Sequence, residues 1–113
     1  MVKLESKLIT RRDKIGVLGG SFDPAHKGHL TISKEAIKRF RLRNVIWAIT
    51  KKNPFKKKTH TSLNNRIKHC KKIIGSSKLI KVKFYEDTIK SNKTFDLIKY
   101  ISKNKKNKIY FIM

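Results

Sequence analysis

Ile15-Gly16-Val17-Leu18-Gly19-Gly20-Ser21-Phe22-Asp23-Pro24-Ala25-His26-Lys27-Gly28-His29 reads as a strand that runs into a glycine-rich turn and then a helix. Residues 15–18 are an apolar run that ends at the glycine pair Gly19-Gly20. Beyond the turn, Leu30, Ser33, Ala36, Ile37 and Phe40 fall on one helical face, which predicts a helix over residues 28–40. A loop between a strand and a helix is where α/β sheets bind ligands. This one suits an anion, because glycines let the backbone come close to phosphates and a helix N-terminus offers unpaired N–H groups with a partial positive charge. His26 and His29 are three apart, so imidazoles in the first turn project to one side. Two imidazoles and a helix N-terminus suit the stabilisation of charge on a phosphate under in-line attack, where positioning and electrostatics supply most of the catalysis. As metal ligands the pair would need further donors, and His60 and His69 have no spacing that assigns them. A bare H-x-G-H could be a turn with incidental histidines; an eleven-residue string over residues 19–29 is more specific than that.

The rest of the chain repeats the alternation. Residues 45–49 are a continuous apolar run with a β-branched bias, as expected of a strand buried on both faces. Residues 51–61 carry Lys51, Lys52, Lys56, Lys57 and Lys58 around Asn53-Pro54, a basic loop that Pro54 keeps from being helical. Ser62 is placed to cap a second helix, in which Leu63, Ile67, Cys70 and Ile74 recur at helical spacing up to Gly75, and this makes Cys70 a core residue rather than a nucleophile. Residues 79–84 alternate partly between apolar residues and lysine, as a strand at the edge of a sheet does. Thr94, Leu97, Ile98 and Ile101 mark a short helix, and residues 109–113 form another apolar run expected to be a buried strand. Strands alternating with helices give the α/β class, a doubly wound parallel sheet with right-handed crossovers. Residues 1–13 are set apart as a basic N-terminal extension.

With 113 residues the chain has room for one modest domain. Its 30 Lys and Arg against 7 Asp and Glu give a net charge of +23, which attracts anionic partners. The lysines are scattered, however, and only Phe55 interleaves the basic loop with an aromatic ring, so a nucleic-acid-binding module is the alternative rather than the leading reading. Cys70 is the sole cysteine, which excludes an intrachain disulfide and a multi-cysteine metal site. Residues 1–13 lack the apolar core of a secretory signal and no apolar stretch is long enough to span a membrane. The expected compartment is the cytoplasm.

The string over residues 19–29 resembles the G-G-[ST]-F-D-P-x-H-x-G-H signature of nicotinate-nucleotide adenylyltransferases, within the wider H-x-G-H nucleotidyltransferase superfamily. The resemblance implies a Rossmann-like nucleotidyltransferase domain over residues 14–113, truncated after its fourth strand. It also implies adenylyl transfer from ATP to nicotinate mononucleotide, giving nicotinate adenine dinucleotide and pyrophosphate, with Mg²⁺ assisting and no residue assigned as a metal ligand. By the same resemblance His26 and His29 are catalytic, binding ATP phosphates and stabilising the transition state, while Gly19, Gly20, Ser21, Phe22 and Gly28 lie at the nucleotide. Asn53-Pro54-Phe55-Lys56 resembles the family's P-P-H-[KR] loop, which adds Lys56 to the ATP-binding set. Arg66 matches a family arginine in the next helix. Thr94-Phe95-Asp96 resembles the S-Y-T-x-[DE]-T segment near the nicotinate pocket, with Lys93 where tyrosine is usual, and this assigns Thr94 and Asp96 to the nicotinate nucleotide. The strand at residues 109–113 is implied to lie beside residues 15–18, on the far side from residues 45–49. The chain ends before the family's G-[AQ]-D and I-S-[ST]-[ST]-x-[IL]-R motifs, so by itself it is expected to be an incomplete or inactive part of the domain. Another H-x-G-H nucleotidyltransferase is a further alternative.

Overall fold

The computed structural model describes residues 14–51, 62–103 and 107–112. In chain order the elements are β1 (Lys14–Gly20), α1 (Lys27–Phe40), β2 (Asn44–Ile49), α2 (Leu63–Ile74), β3 (Ile80–Lys83), α3 (Glu86–Ile89), α4 (Thr94–Ile101) and β4 (Lys108–Ile112). The strands form one parallel sheet in the order β3-β2-β1-β4. Val17 lies opposite Ile46 on one side and Phe111 on the other, so the expected placement of the last strand beside the first holds.

Burial follows position in the sheet. The two central strands bury Val17, Val45 and Trp47 completely, as strands covered on both faces must. At one edge β3 buries Ile80 and exposes Lys81 and Lys83, the one-sided pattern read from the sequence. The strand β4 departs from expectation: Ile109, Tyr110, Phe111 and Ile112 are half-buried rather than buried. Among the described residues β1 is its only partner strand, and an edge strand keeps more contact with water than a central one. Met113 lies outside the described residues.

Helix α1 buries Ser33, Ala36 and Ile37 against the sheet and ends at Arg41, whose φ of 53° turns the chain so that Leu42 N–H reaches the Ile37 carbonyl. Phe40, expected on the buried face, is half exposed, with its ring 5.4 Å from that of Tyr110 at the sheet edge. Helix α2 starts at Ser62, whose hydroxyl accepts the Asn65 N–H, and stops at Gly75, where φ is 65°. It buries Arg66, Cys70 and Ile74. The short helix α3 has no counterpart in the sequence reading, since four residues are too few to show a period.

Candidate active site

The carboxyl ends of β1 and β2 are tied together by the Thr50 N–H bonding the Gly20 carbonyl at 2.9 Å. Above them opens a pocket of about 530 Å³, within the range of small-ligand sites. Gly19, Gly20 and Ser21 form one wall, and residues of α3, α4 and the segment between them form the other.

His26 is the N-cap of α1 and His29 sits three residues on. His26 Nδ1 accepts the Gly28 N–H at 3.0 Å, and His29 Nδ1 accepts the His26 N–H at 3.1 Å. This reciprocal arrangement satisfies backbone donors that a helix start otherwise leaves open. It also fixes the chemistry of both rings. A nitrogen that accepts a backbone N–H carries no proton, so each neutral imidazole holds its proton on Nε2 and presents an N–H donor at its outer edge. The ring centroids are 4.0 Å apart. Burial, and then the neighbouring His26 ring, lower the pKa of His29, which favours the neutral donor form. Gly28 is explained by the same geometry, since a Cβ there would meet the His26 ring at 2.8 Å.

Phe22 supports the pair from below. Its ring stacks on Trp47 at 5.0 Å with an interplanar angle of 11° and lies 4.7 Å from His29. The Trp47 Nε1–H donates to Ser33 Oγ at 2.7 Å, and Ser33 Oγ–H donates to the His29 carbonyl at 2.8 Å. A buried chain of contacts thus runs from β2 to the first turn of α1.

Of the sequence-derived site residues, Gly19, Gly20, Ser21, Phe22, His29 and Thr94 line the pocket, and His26 packs against His29. The Gly28 N–H is occupied by His26, and Asp96 accepts the Ser91 hydroxyl at 2.6 Å outside the pocket lining. Lys56 lies outside the described residues. Two functional candidates escaped the sequence reading of roles. Arg66, only 2% exposed, donates to the Ser21, Thr50 and Lys51 carbonyls. Glu86 lines the pocket and accepts the Lys51 N–H at 2.9 Å. A signal for Arg66 was present, in that it falls four residues before Cys70 within the apolar stripe of α2.

The chemistry of the donor set bears on Mg²⁺. Among the described residues no group of three or more His, Cys, Asp or Glu could hold a metal ion, while Asp23 and Glu86 place carboxylates in the pocket lining. That set fits an ion coordinated mainly by substrate phosphates, which is how Mg²⁺ commonly enters nucleotide sites.

A parallel sheet with its glycine turn, capped helix start and pocket at the strand carboxyl ends defines a Rossmann-like α/β protein. The chain belongs to the cytidylyltransferase-like family, whose model matches residues 17–113. It is 63% identical over 113 residues to a probable nicotinate-nucleotide adenylyltransferase of Pelagibacter ubique (strain HTCC1062), covering all of this chain and 63% of that relative. A probable nicotinate-nucleotide adenylyltransferase of Ruegeria sp. (strain TM1040) is 47% identical over 60 residues, 53% of this chain and 32% of the relative. The chain therefore spans less than two thirds of the length of these curated relatives. Its fold is similar to the Plasmodium falciparum nicotinic acid mononucleotide adenylyltransferase complexed with NaAD, with a TM-score of 0.74 at 23% identity over 88% of this chain and 51% of that one. Among the described residues no helix is long and apolar enough to cross a membrane.

Proposed function

We propose that residues 14–113 are the ATP-binding part of an adenylyltransferase domain, with residues 1–13 an extension. The reaction is adenylyl transfer from ATP to nicotinate mononucleotide, giving nicotinate adenine dinucleotide and pyrophosphate. The observation that carries the chemistry is the reciprocal capping of His26 and His29 through their Nδ1 atoms, which leaves two Nε2–H donors at one helix start. The substrate assignment is supported by the 63% identity to the Pelagibacter ubique relative. In the reaction a phosphate oxygen of the mononucleotide attacks the α-phosphorus of ATP, the bond from that phosphorus to the bridging oxygen breaks, and pyrophosphate leaves. His26 and His29 hold phosphate oxygens through neutral donors and transfer no proton, and the start of α1 adds its partial positive charge. Gly19 and Gly20 allow close approach, and Lys56 supplies a further cation for ATP. Thr94 and Asp96 serve the nicotinate side, Asp96 through its bond to Ser91. When bound, Mg²⁺ neutralises charge on the phosphates, and Asp23 is the carboxylate beside the loop that would hold it. The lone, buried Cys70 suits a reducing cytoplasm, the compartment we assign.

The test is calorimetric titration of ATP into the chain and into His26→Asn. Asparagine is a good N-cap, so the substitution keeps the helix start while removing the Nε2–H. Thermal stability is expected to stay within about 2 °C of the parent while ATP binding weakens roughly tenfold or more, the loss of one hydrogen bond to a charged group. Equal affinity in parent and variant would overturn the role given to His26. Duplex DNA at physiological salt is the control, and binding tighter than that of ATP would favour a nucleic-acid module.

A further inference from the structure

We infer that Arg66 is a positioning residue for the phosphate loop: it holds the Ser21–Phe22 peptide so that the Phe22 N–H faces the pocket and receives an anionic oxygen. The geometry rests on the protein alone. Only the identity of the anion, an ATP phosphate, rests on the function proposed above.

Arg66 Nη1 donates at 2.8 Å to both the Ser21 and the Thr50 carbonyls, and Nη2 donates at 2.7 Å to the Lys51 carbonyl. A buried guanidinium ties the segments that leave β1 and β2 to helix α2. The Thr50–Lys51 peptide shows what such a grip does. Its carbonyl bonds Arg66, and its N–H, on the opposite edge of the same planar unit, bonds the Glu86 carboxylate at 2.9 Å. That peptide is held from both ends, cation on one side and anion on the other, so it is a fixed post for the guanidinium.

The Ser21–Phe22 peptide repeats half of the pattern. Its carbonyl bonds the same Nη1, yet among the described residues its N–H makes no hydrogen bond. Both residues line the pocket. Where the first peptide has a carboxylate, the second is completed by an oxygen of a bound anion. The conformation needed for this is unfavourable in itself, since Phe22 has φ of 50°, in the left-handed region that non-glycine residues avoid. Two contacts hold it there: the Arg66 fork on the peptide, and the stack of the Phe22 ring on Trp47. Without Arg66 the peptide can turn over, carrying the N–H out of the pocket and the ring off the indole. Lysine keeps the charge but lacks the planar fork that reaches several carbonyls.

Trp47 is the only tryptophan of the chain, so its emission reads the Phe22 contact directly. In Arg66→Lys and Arg66→Gln, acrylamide quenching of Trp47 is expected to rise at least twofold, and the dissociation constant for ATP at least tenfold. A charge effect alone would spare the lysine variant, and unchanged quenching and ATP affinity in Arg66→Lys would overturn the inference. A measurement on the unmodified chain covers the case in which both variants unfold. Saturating ATP is expected to slow hydrogen exchange of the Phe22 amide at least tenfold, and an unaltered exchange rate counts against the inference as decisively. Failure of ATP to bind the unmodified chain would overturn the functional reading and the ligand assigned to that N–H. The quenching result would then stand by itself for or against Arg66.

Discussion

Ser33 sits where an apolar residue would be expected, wholly buried on the sheet-facing side of α1, because the Trp47 indole needs an acceptor there. Ser33→Ala leaves the indole N–H in the core without one. The expected cost is about 1–3 kcal/mol, read as a lower midpoint in urea, while an unchanged midpoint would show that the Ser33–Trp47 bond contributes nothing. How far the site could be read in advance depends on which partners are close in sequence. The histidine pair was legible because cap, glycine and second imidazole fall within four residues. Arg66 meets Ser21 across 45 residues, and Glu86 meets Lys51 across 35. No local pattern encodes such a meeting, so neither the part played by Glu86 nor that played by Arg66 is legible in the sequence. Gly28 carries a duty that the motif does not announce: its N–H closes the His26 cap.

Among the elements, the alternation of strands and helices was legible because each apolar run was short and bounded by glycine, proline or a cap. What eluded it was the depth of β4, which depends on neighbours rather than on its own residues, and the one-turn helix α3. Strand β1 owes its close fit to Gly16. A Cβ there would meet Leu42 Cδ1 at 2.8 Å and Val45 Cγ2 at 3.0 Å, and both neighbours are fully buried. Gly16→Ala is therefore expected to destabilise by about 1–3 kcal/mol through overpacking, measured by thermal or urea unfolding; a stabilised variant would mean that the core has room there. Helix α2 carries a pH signature. Burial pushes the Cys70 thiol up to about 11 from an ordinary value of 9.0. The folded pKa lies above the unfolded one, so the contribution to stability is complete below about pH 9 and is lost as pH rises toward about 11. The stability difference between the parent and Cys70→Val should shift in the parent's disfavour across that window, since the valine variant has no thiol to ionise. Parallel curves for the two proteins from about pH 8 to 11 would contradict the assignment.

At the scale of the whole molecule the charge imbalance dominates. Among the described residues the one ion pair is Glu35 with Arg39, at 2.7 Å on the exposed face of α1, and a surface pair of that kind contributes little. With a net charge of +23, repulsion among cations opposes the compact state, and the same cations draw in a polyphosphate. Added salt screens both, since the screening length falls from about 10 Å at 0.1 M to about 3 Å at 1 M. The unfolding temperature should then rise with sodium chloride while ATP affinity falls. An unfolding temperature that does not rise would show that repulsion among the cations does not limit folding, and an affinity indifferent to salt would show that they do not draw in the ligand.

The strand order has one more consequence, for the chain as it leaves a ribosome. The central strand β1 has its first partner, β2, within the first 49 residues, but its second, β4, is complete only at Ile112. At about 5–20 residues per second the interval is roughly 3–13 s. Throughout it the β4-facing edge of β1, with Ile15 and Val17, has no native neighbour, and a nascent chain meets chaperones and other nascent chains with its innermost strand still unpaired on one side.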